Sequence, residues 1–186
     1  MATELAKRDG KSASQLAGKY LTFGIQGESY GIDVLQVREI IRLIGITVVP
    51  QMPAYVRGVI NLRGKIIPVM DLRLRFGFSE ITDTELTCIV VVQVQLPDGK
   101  VTPMGLVVDG VEEVINIAAG DIEETPDFGV TIATEYILGM AKIKDTVKTL
   151  LAVDRIIAAE SLLQSIQRAA LAAPAPAATS PQQLQK

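Results

Sequence analysis

The chain has 186 residues, with 18 Lys and Arg against 21 Asp and Glu and 48% hydrophobic residues, enough for one large domain or two small fused ones. A formal charge of −3 disfavours a nucleic-acid partner, whose affinity comes largely from clustered positive charge. There is no histidine and one cysteine, Cys88, so Ser–His and Cys–His nucleophile pairs, an imidazole base, histidine or thiolate metal sites and an internal disulfide are all absent. No EF-hand-like acidic spacing occurs either, and no cofactor is expected.

Residues 1–18 are polar, rich in Ser and Lys and without periodicity; they read as a flexible leader with no secretory segment. No apolar stretch approaches the roughly 20 residues that cross a bilayer, so no membrane insertion and a cytoplasmic location are expected. From Tyr20 onward, short β-branched runs alternate with turn residues. Residues 20–25 and 29–33 flank Gln26-Gly27-Glu28, and residues 59–62 and 66–70 flank Arg63-Gly64-Lys65. Residues 87–96 and 101–109 flank Pro97-Asp98-Gly99-Lys100, while 136–143 and 147–153 flank Lys144-Asp145-Thr146. Four hairpins at this spacing predict barrels or a sandwich.

Two helices are expected. Residues 71–76 form a short turn ended by Gly77. A longer helix is N-capped by Asp154, carries Ile156, Leu163, Ile166 and Ala170 on one face, and stops at residue 172 before Pro174. The Ala/Pro/Gln tail, 173–186, is too poor in core-forming residues to order itself. Cys88, within an apolar run, reads as a small buried hydrophobe.

An internal repeat runs through this pattern. Residues 31–41 align without gaps on 105–115, and Tyr55-Val-Arg-Gly58 recurs as Tyr136-Ile-Leu-Gly139 in the same order. Two half-sized β units follow, each too small to stand alone, sharing a core. Arg63 at a hairpin tip, beside a Gly64 able to take positive φ, is placed to bind a carboxylate on another protein; the alternative is a solvated turn residue. Two other classes compete. An enzyme using Asp109, Glu112 and Glu113 would need a pocket with a raised-pKa carboxylate. A proline-peptide binder would need an aromatic-lined groove, for which four Tyr, four Phe and no Trp are poor equipment.

The run Gly58-Val-Ile-Asn-Leu-Arg-Gly64, then Pro68-Val-Met-Asp-Leu72, resembles the CheW family of chemotaxis coupling proteins, as do Tyr30-Gly-Ile-Asp33, Val107-Val-Asp-Gly-Val111 and Thr134-Glu-Tyr136. The resemblance spans roughly residues 20–157, so one CheW-like domain is expected at 19–157, followed by the C-terminal helix at 158–172 and the disordered tail that periodicity and composition predict. It implies a mainly β fold of two intertwined five-stranded SH3-like β-barrels sharing a hydrophobic seam. It also implies a non-catalytic adaptor, recruited to membrane-associated receptor arrays, that couples transmembrane chemoreceptors to the regulatory domain of the histidine kinase CheA. An adaptor of a parallel chemosensory pathway, serving surface motility or another output, is the alternative. Six residues match positions implicated in receptor contact: Arg63, Glu39, Val37, Gly58, Gly105 and Val114. Val37 and Val114 are equally readable as core, Gly58 and Gly105 as sites of close backbone approach, and Glu39 as a solvated carboxylate. The apolar segment 42–50 reads as a strand at the inter-barrel seam or as part of a partner surface.

Overall fold

Among residues 11–126 and 134–157, which the computed structural model describes, the alternating runs become eleven strands. They are β1 Gly18–Ile25, β2 Glu28–Asp33, β3 Val37–Arg42, β4 Val56–Leu62, β5 Lys65–Asp71, β6 Cys88–Gln95, β7 Val101–Val108, β8 Gly110–Ile117, β9 Ile122–Glu123, β10 Ile137–Ile143 and β11 Thr146–Leu151. One sheet has the order β8-β1-β2-β11-β10-β9 and the other β3-β6-β7-β5-β4. All four expected hairpins form as antiparallel pairs. The chain begins in the first sheet, crosses after β2 into the second, and returns after β7, so the first barrel is completed by strands that precede and follow the contiguous second one. The expected five strands per barrel become six and five. The extra strand, β9, pairs through only two residues, and its counterpart opposite β4 is a single bridge between Thr47 and Val59.

The sequence repeat is a structural repeat. Gly31 of β2 pairs in parallel with Leu150, and Gly105 of β7 pairs in parallel with Val69. The segments that follow them are the two crossovers, ending in the edge strands β3 and β8. Each Tyr-x-x-Gly motif opens a hairpin with a bulge at the same place, between Val56 and Gly58 and between Ile137 and Gly139.

Strand alternation divides the buried residues among three cores. Ile89 and Val91 of β6 join Ile60, Ile67, Val69 and Val107 inside the second barrel. Tyr20, Ile117, Ile122, Ala141 and Leu150 fill the first. The intervening residues of the same strands, Val90, Val92, Val94, Met104 and Leu106, meet Leu21, Phe23, Ile25 and Ile32 across the seam, which is the largest core of the three. Cys88 belongs to this seam, and burial pushes its thiol pKa up.

Three expectations change. Part of the anticipated leader is ordered: α1, Ala13–Leu16, follows Ser12, whose N–H donates to Gln15 Oε1 at 2.9 Å, and buries Leu16 in the first barrel. Local polarity hid this, because one leucine supplies the anchor. Segment 42–50 does not enter the seam; Leu43 and Ile46 cap the second barrel's own core, while Val48 is exposed. Asp71 caps α2, Leu72–Arg75, by accepting from Arg73 N–H, and Gly77 at φ +91° ends that turn. Asp154, however, lies within the first turn of α3, Val153–Ile157, and is not its cap. Its carboxylate accepts instead from Gln95 N–H at 2.9 Å and Gln36 Nε2 at 3.0 Å, tying α3 to β6 and to the 3-10 turn Val34–Gln36. The anticipated helix 158–172 and tail 173–186 lie outside the described residues.

Candidate functional site: the hairpin-tip ion pair and its surroundings

Leu62 pairs with Lys65, leaving Arg63 and Gly64 as a two-residue turn with φ +52° and +82°. Two successive left-handed residues make the tight turn that matches strand twist, and for a non-glycine residue that conformation costs roughly 1–2 kcal/mol. Asn61 Oδ1 accepts from Gly64 N–H at 2.9 Å and stiffens the tip. The turn aims Arg63 at Glu39, where Nη1 and Nη2 donate to Oε1 and Oε2 at 2.9 and 2.8 Å. Glu39 stands on β3 and Arg63 at the end of β4, the two edge strands of the second sheet, so the pair bridges the barrel's closing gap. Arg63 remains 76% exposed. A pair so open to water adds only about 0–1 kcal/mol. Its consequence is geometric: a planar guanidinium held in one orientation at the surface.

The other expected site residues scatter. Val37 is half-buried and packs on the seam. Gly58 is interior: a Cβ there would lie 2.0 Å from the Thr47 carbonyl oxygen. Gly105 is also interior, with Ile89 Cγ2 2.8 Å from where a Cβ would stand. Both match the close-approach reading of these glycines. Val114 is exposed, but on β8 of the other sheet. Only Glu39 and Arg63 are in contact. The repeat places Val114 where the second barrel has Ile40, and Lys144, at φ +56°, where it has Arg63. A cavity of about 610 Å³ opens elsewhere, lined by Leu16, Lys19, Val34, Leu35, Leu138 and Asp154 among others, and none of the six expected residues reaches it.

Sequence reasoning missed a buried charge cluster. Arg73, fully enclosed, donates from Nε and Nη2 to both oxygens of the equally enclosed Asp71, and further to Asp83 at 2.7 Å and Asp109 at 3.1 Å. Arg57 closes the ring by donating to Asp71 and Asp83. Three aspartates spread over nearly forty positions converge here, which no local spacing announces. Near it, Phe23, Tyr30, Phe76 and Tyr136 form a column of rings 5.4 to 6.3 Å apart.

Two of the three carboxylates offered for acid–base work are engaged otherwise, and the third, Glu113, lies exposed on β8. Asp109 accepts from Arg73 and from Gln26 N–H, and Glu112 accepts from Lys148 and Ser29. Burial raises the pKa of Glu112, but the bonds from Lys148 and Ser29 outweigh it and hold the group below the usual range; Asp83 is lowered in the same way against Arg73 and Arg57. That is the reverse of a poised general acid. It also sets a pH dependence. Folded pKa values below the unfolded values of about 3.9 and 4.3 contribute stability above those values and lose it as pH falls through the folded ones. The urea midpoint is therefore expected to be flat from pH 7 to 5 and to drop below about pH 4. A midpoint unchanged at pH 3 would contradict the assignment.

Among the described residues there is no cluster of acidic or thiol side chains able to hold a metal, and no helix is long and apolar enough to cross a membrane. Two barrels wound through each other, with a rigid exposed ion pair and carboxylates tied into salt bridges, define a docking protein. Comparison gives the family. A CheW-like domain matches residues 19–161, and the chain belongs to that family of chemotaxis adaptors. It is 35% identical over 156 residues to the chemotaxis protein CheW of Klebsiella aerogenes, covering 81% of this chain and 91% of that one. It is 31% identical to the CheW of Rhizobium meliloti over 75% of this chain and 87% of the relative. The crystal structure of the scaffolding protein TtCheW from Thermoanaerobacter tengcongensis superposes with a TM-score of 0.67 at 35% identity, covering 76% of this chain and 92% of that chain.

Proposed function

We propose that this protein links the cytoplasmic tips of chemoreceptors to the regulatory domain of the histidine kinase CheA at membrane-associated arrays, with receptor contact centred on Arg63 and Glu39 and extended by Val37. The bidentate Arg63–Glu39 pair carries this reading. The guanidinium uses two of its five N–H donors on Glu39, so three remain for a partner carboxylate, already oriented and without breaking the pair. Glu39 presents the complementary charge. Gly58 and Gly105 act from within, by permitting the packing that holds this strand edge in place. Val114 belongs to a second face on the other barrel. No bond is made or broken in this protein; control of the kinase rests on how the two partners are held.

Arg63→Ala tests the contact. Receptor-fragment binding should fall about tenfold or more, as for an interface anchor, while the urea midpoint shifts by less than about 1 kcal/mol. Undiminished receptor binding by the folded variant would remove Arg63 from the site. The coupling itself is tested by following ATP consumption by CheA with receptor fragments: receptor-dependent change in kinase activity that does not require this protein would overturn it.

A further inference from the structure

Among the described residues, Arg75 has no counter-ion. It closes α2, half-buried, and its guanidinium carbon lies 5.4 Å from the ring centroid of Tyr55 and 5.9 Å from that of Tyr136. Its Nε is enclosed and donates to nothing. The carboxylates at this end of the hairpin are taken: Asp71, Asp83 and Asp109 are bound by Arg73 and Arg57. Tyr55 and Tyr136 open the two repeated Tyr-x-x-Gly motifs, so the cation sits where the barrels meet, beside the seam, with Phe76 stacked on Tyr136 at 5.6 Å.

This arrangement is costly for stability alone. A buried donor without an acceptor costs stability, and a cation over two rings recovers only part of that cost. Arg and Tyr in one cluster, with an unused planar donor set, are the composition of an interface anchor for a carboxylate. The site lies at the base of the β4–β5 hairpin whose tip carries Arg63. Seven strand residues separate them, roughly 20 Å. A linking protein must hold two partners without overlap, and this spacing provides for it.

We propose that Tyr55, Arg75 and Tyr136 form a carboxylate-binding site for an acidic side chain of the second partner, the kinase regulatory domain, while the Arg63 face holds the receptor. This rests on the coupling function proposed above. Tyr55 and Tyr136 flank the guanidinium, and an Asp or Glu of the kinase accepts from its terminal N–H donors, the enclosed Nε staying out of reach.

The test measures binding of the purified CheA regulatory domain, and separately of a receptor cytoplasmic fragment, to the full chain and its Arg75→Gln and Arg75→Lys variants at low and high salt. Arg75→Gln should weaken kinase-domain binding about tenfold or more and flatten its salt dependence, with receptor binding unchanged. Arg75→Lys should keep the salt dependence and recover part of the affinity, because charge is retained but planar stacking is not. The thermal midpoint of Arg75→Gln should stay level or rise, whereas a merely structural arginine would lower it. Kinase-domain affinity unchanged in Arg75→Gln, a loss confined to receptor binding, or a loss that tracks unfolding would each overturn the assignment. Wild-type protein that binds neither fragment would overturn the coupling function itself and this inference with it.

Discussion

Arg73→Ala is expected to destabilise the protein by about 3–5 kcal/mol, the loss that follows when one member of a buried ionic cluster is removed and the others stay behind. Every donor of Arg73 is used: Nε and Nη2 on Asp71 at 2.9 and 2.8 Å, Nη2 also on Asp83, and Nη1 on Asp109 and on the Thr82 carbonyl oxygen at 3.2 Å. Without it Asp71, fully enclosed, keeps only Arg57 as a cationic partner. The loss would spread beyond the pair. Asp109 occupies the second crossover, between β7 and β8, and also accepts from Gln26 N–H at the β1–β2 turn, while Thr82 and Asp83 lie in the connection from α2 to β6. One side chain thus fastens the return of the chain to the first barrel. A domain of this size should lose about 10 °C in thermal midpoint, at 2–4 °C per kcal/mol. Urea unfolding of Arg73→Ala and of Arg73→Lys provides the measurement. Lysine keeps the charge but has three donors on one atom, so it cannot serve acceptors spread around a guanidinium and should recover only part of the loss. A loss below about 1 kcal/mol for Arg73→Ala would show the cluster to be a balanced set of charges that the fold does not need.

The hairpins were legible because each carries its turn chemistry in two to four adjacent residues, and the repeat was legible because the two crossovers share a gapless spacing. The edge strands β3 and β8 were harder. Both belong to the aligned repeat, yet Val37–Arg42 carries an exposed Ile40 on the face it shares with Arg38 and Arg42, and β8 exposes Glu112, Glu113 and Val114, so neither shows a clean apolar face. The two-residue β9 has too little sequence to carry any pattern. Arg73 reads locally as one of two arginines alternating with leucines on a short helix, a solvated face by default. Its burial depends on Asp83 and Asp109, which only the folded topology brings near. For the site, the Arg63 turn was visible in Arg-Gly flanked by strands. Its pairing with Glu39 was not, because the partners sit on opposite edges of a sheet that closes only in three dimensions.

Gly58→Ala should be nearly as damaging, at roughly 2–4 kcal/mol, for a reason unrelated to partner contact. Gly58 has φ +136°, a conformation side chains rarely adopt, at the bulge that opens β4. A Cβ would lie 2.0 Å from the Thr47 carbonyl oxygen, 2.8 Å from its carbonyl carbon and 3.0 Å from Val48 Cα. These are backbone atoms, so no rotamer change relieves them, and the segment through Thr47 must move away. That movement breaks both hydrogen bonds between Thr47 and Val59, each 2.9 Å, and lifts Leu43 and Ile46 from the second barrel's core. Gly105→Ala meets side-chain methyls of Ile89 and Val69 at 2.8 and 3.2 Å, which can yield, so its cost should be the smaller overpacking value of about 1–3 kcal/mol. Gly139→Ala, at the equivalent bulge, places its Cβ 3.0 Å from the Glu123 carbonyl oxygen and should fall between them. The ordering Gly58 over Gly139 over Gly105 in urea midpoint is therefore a test of close approach as the common cause. Receptor binding separates the roles: if affinity per folded molecule is normal in Gly58→Ala, the glycine acts through the strand edge that presents Arg63, and a stable Gly58→Ala protein that fails to bind would restore it to the contact surface.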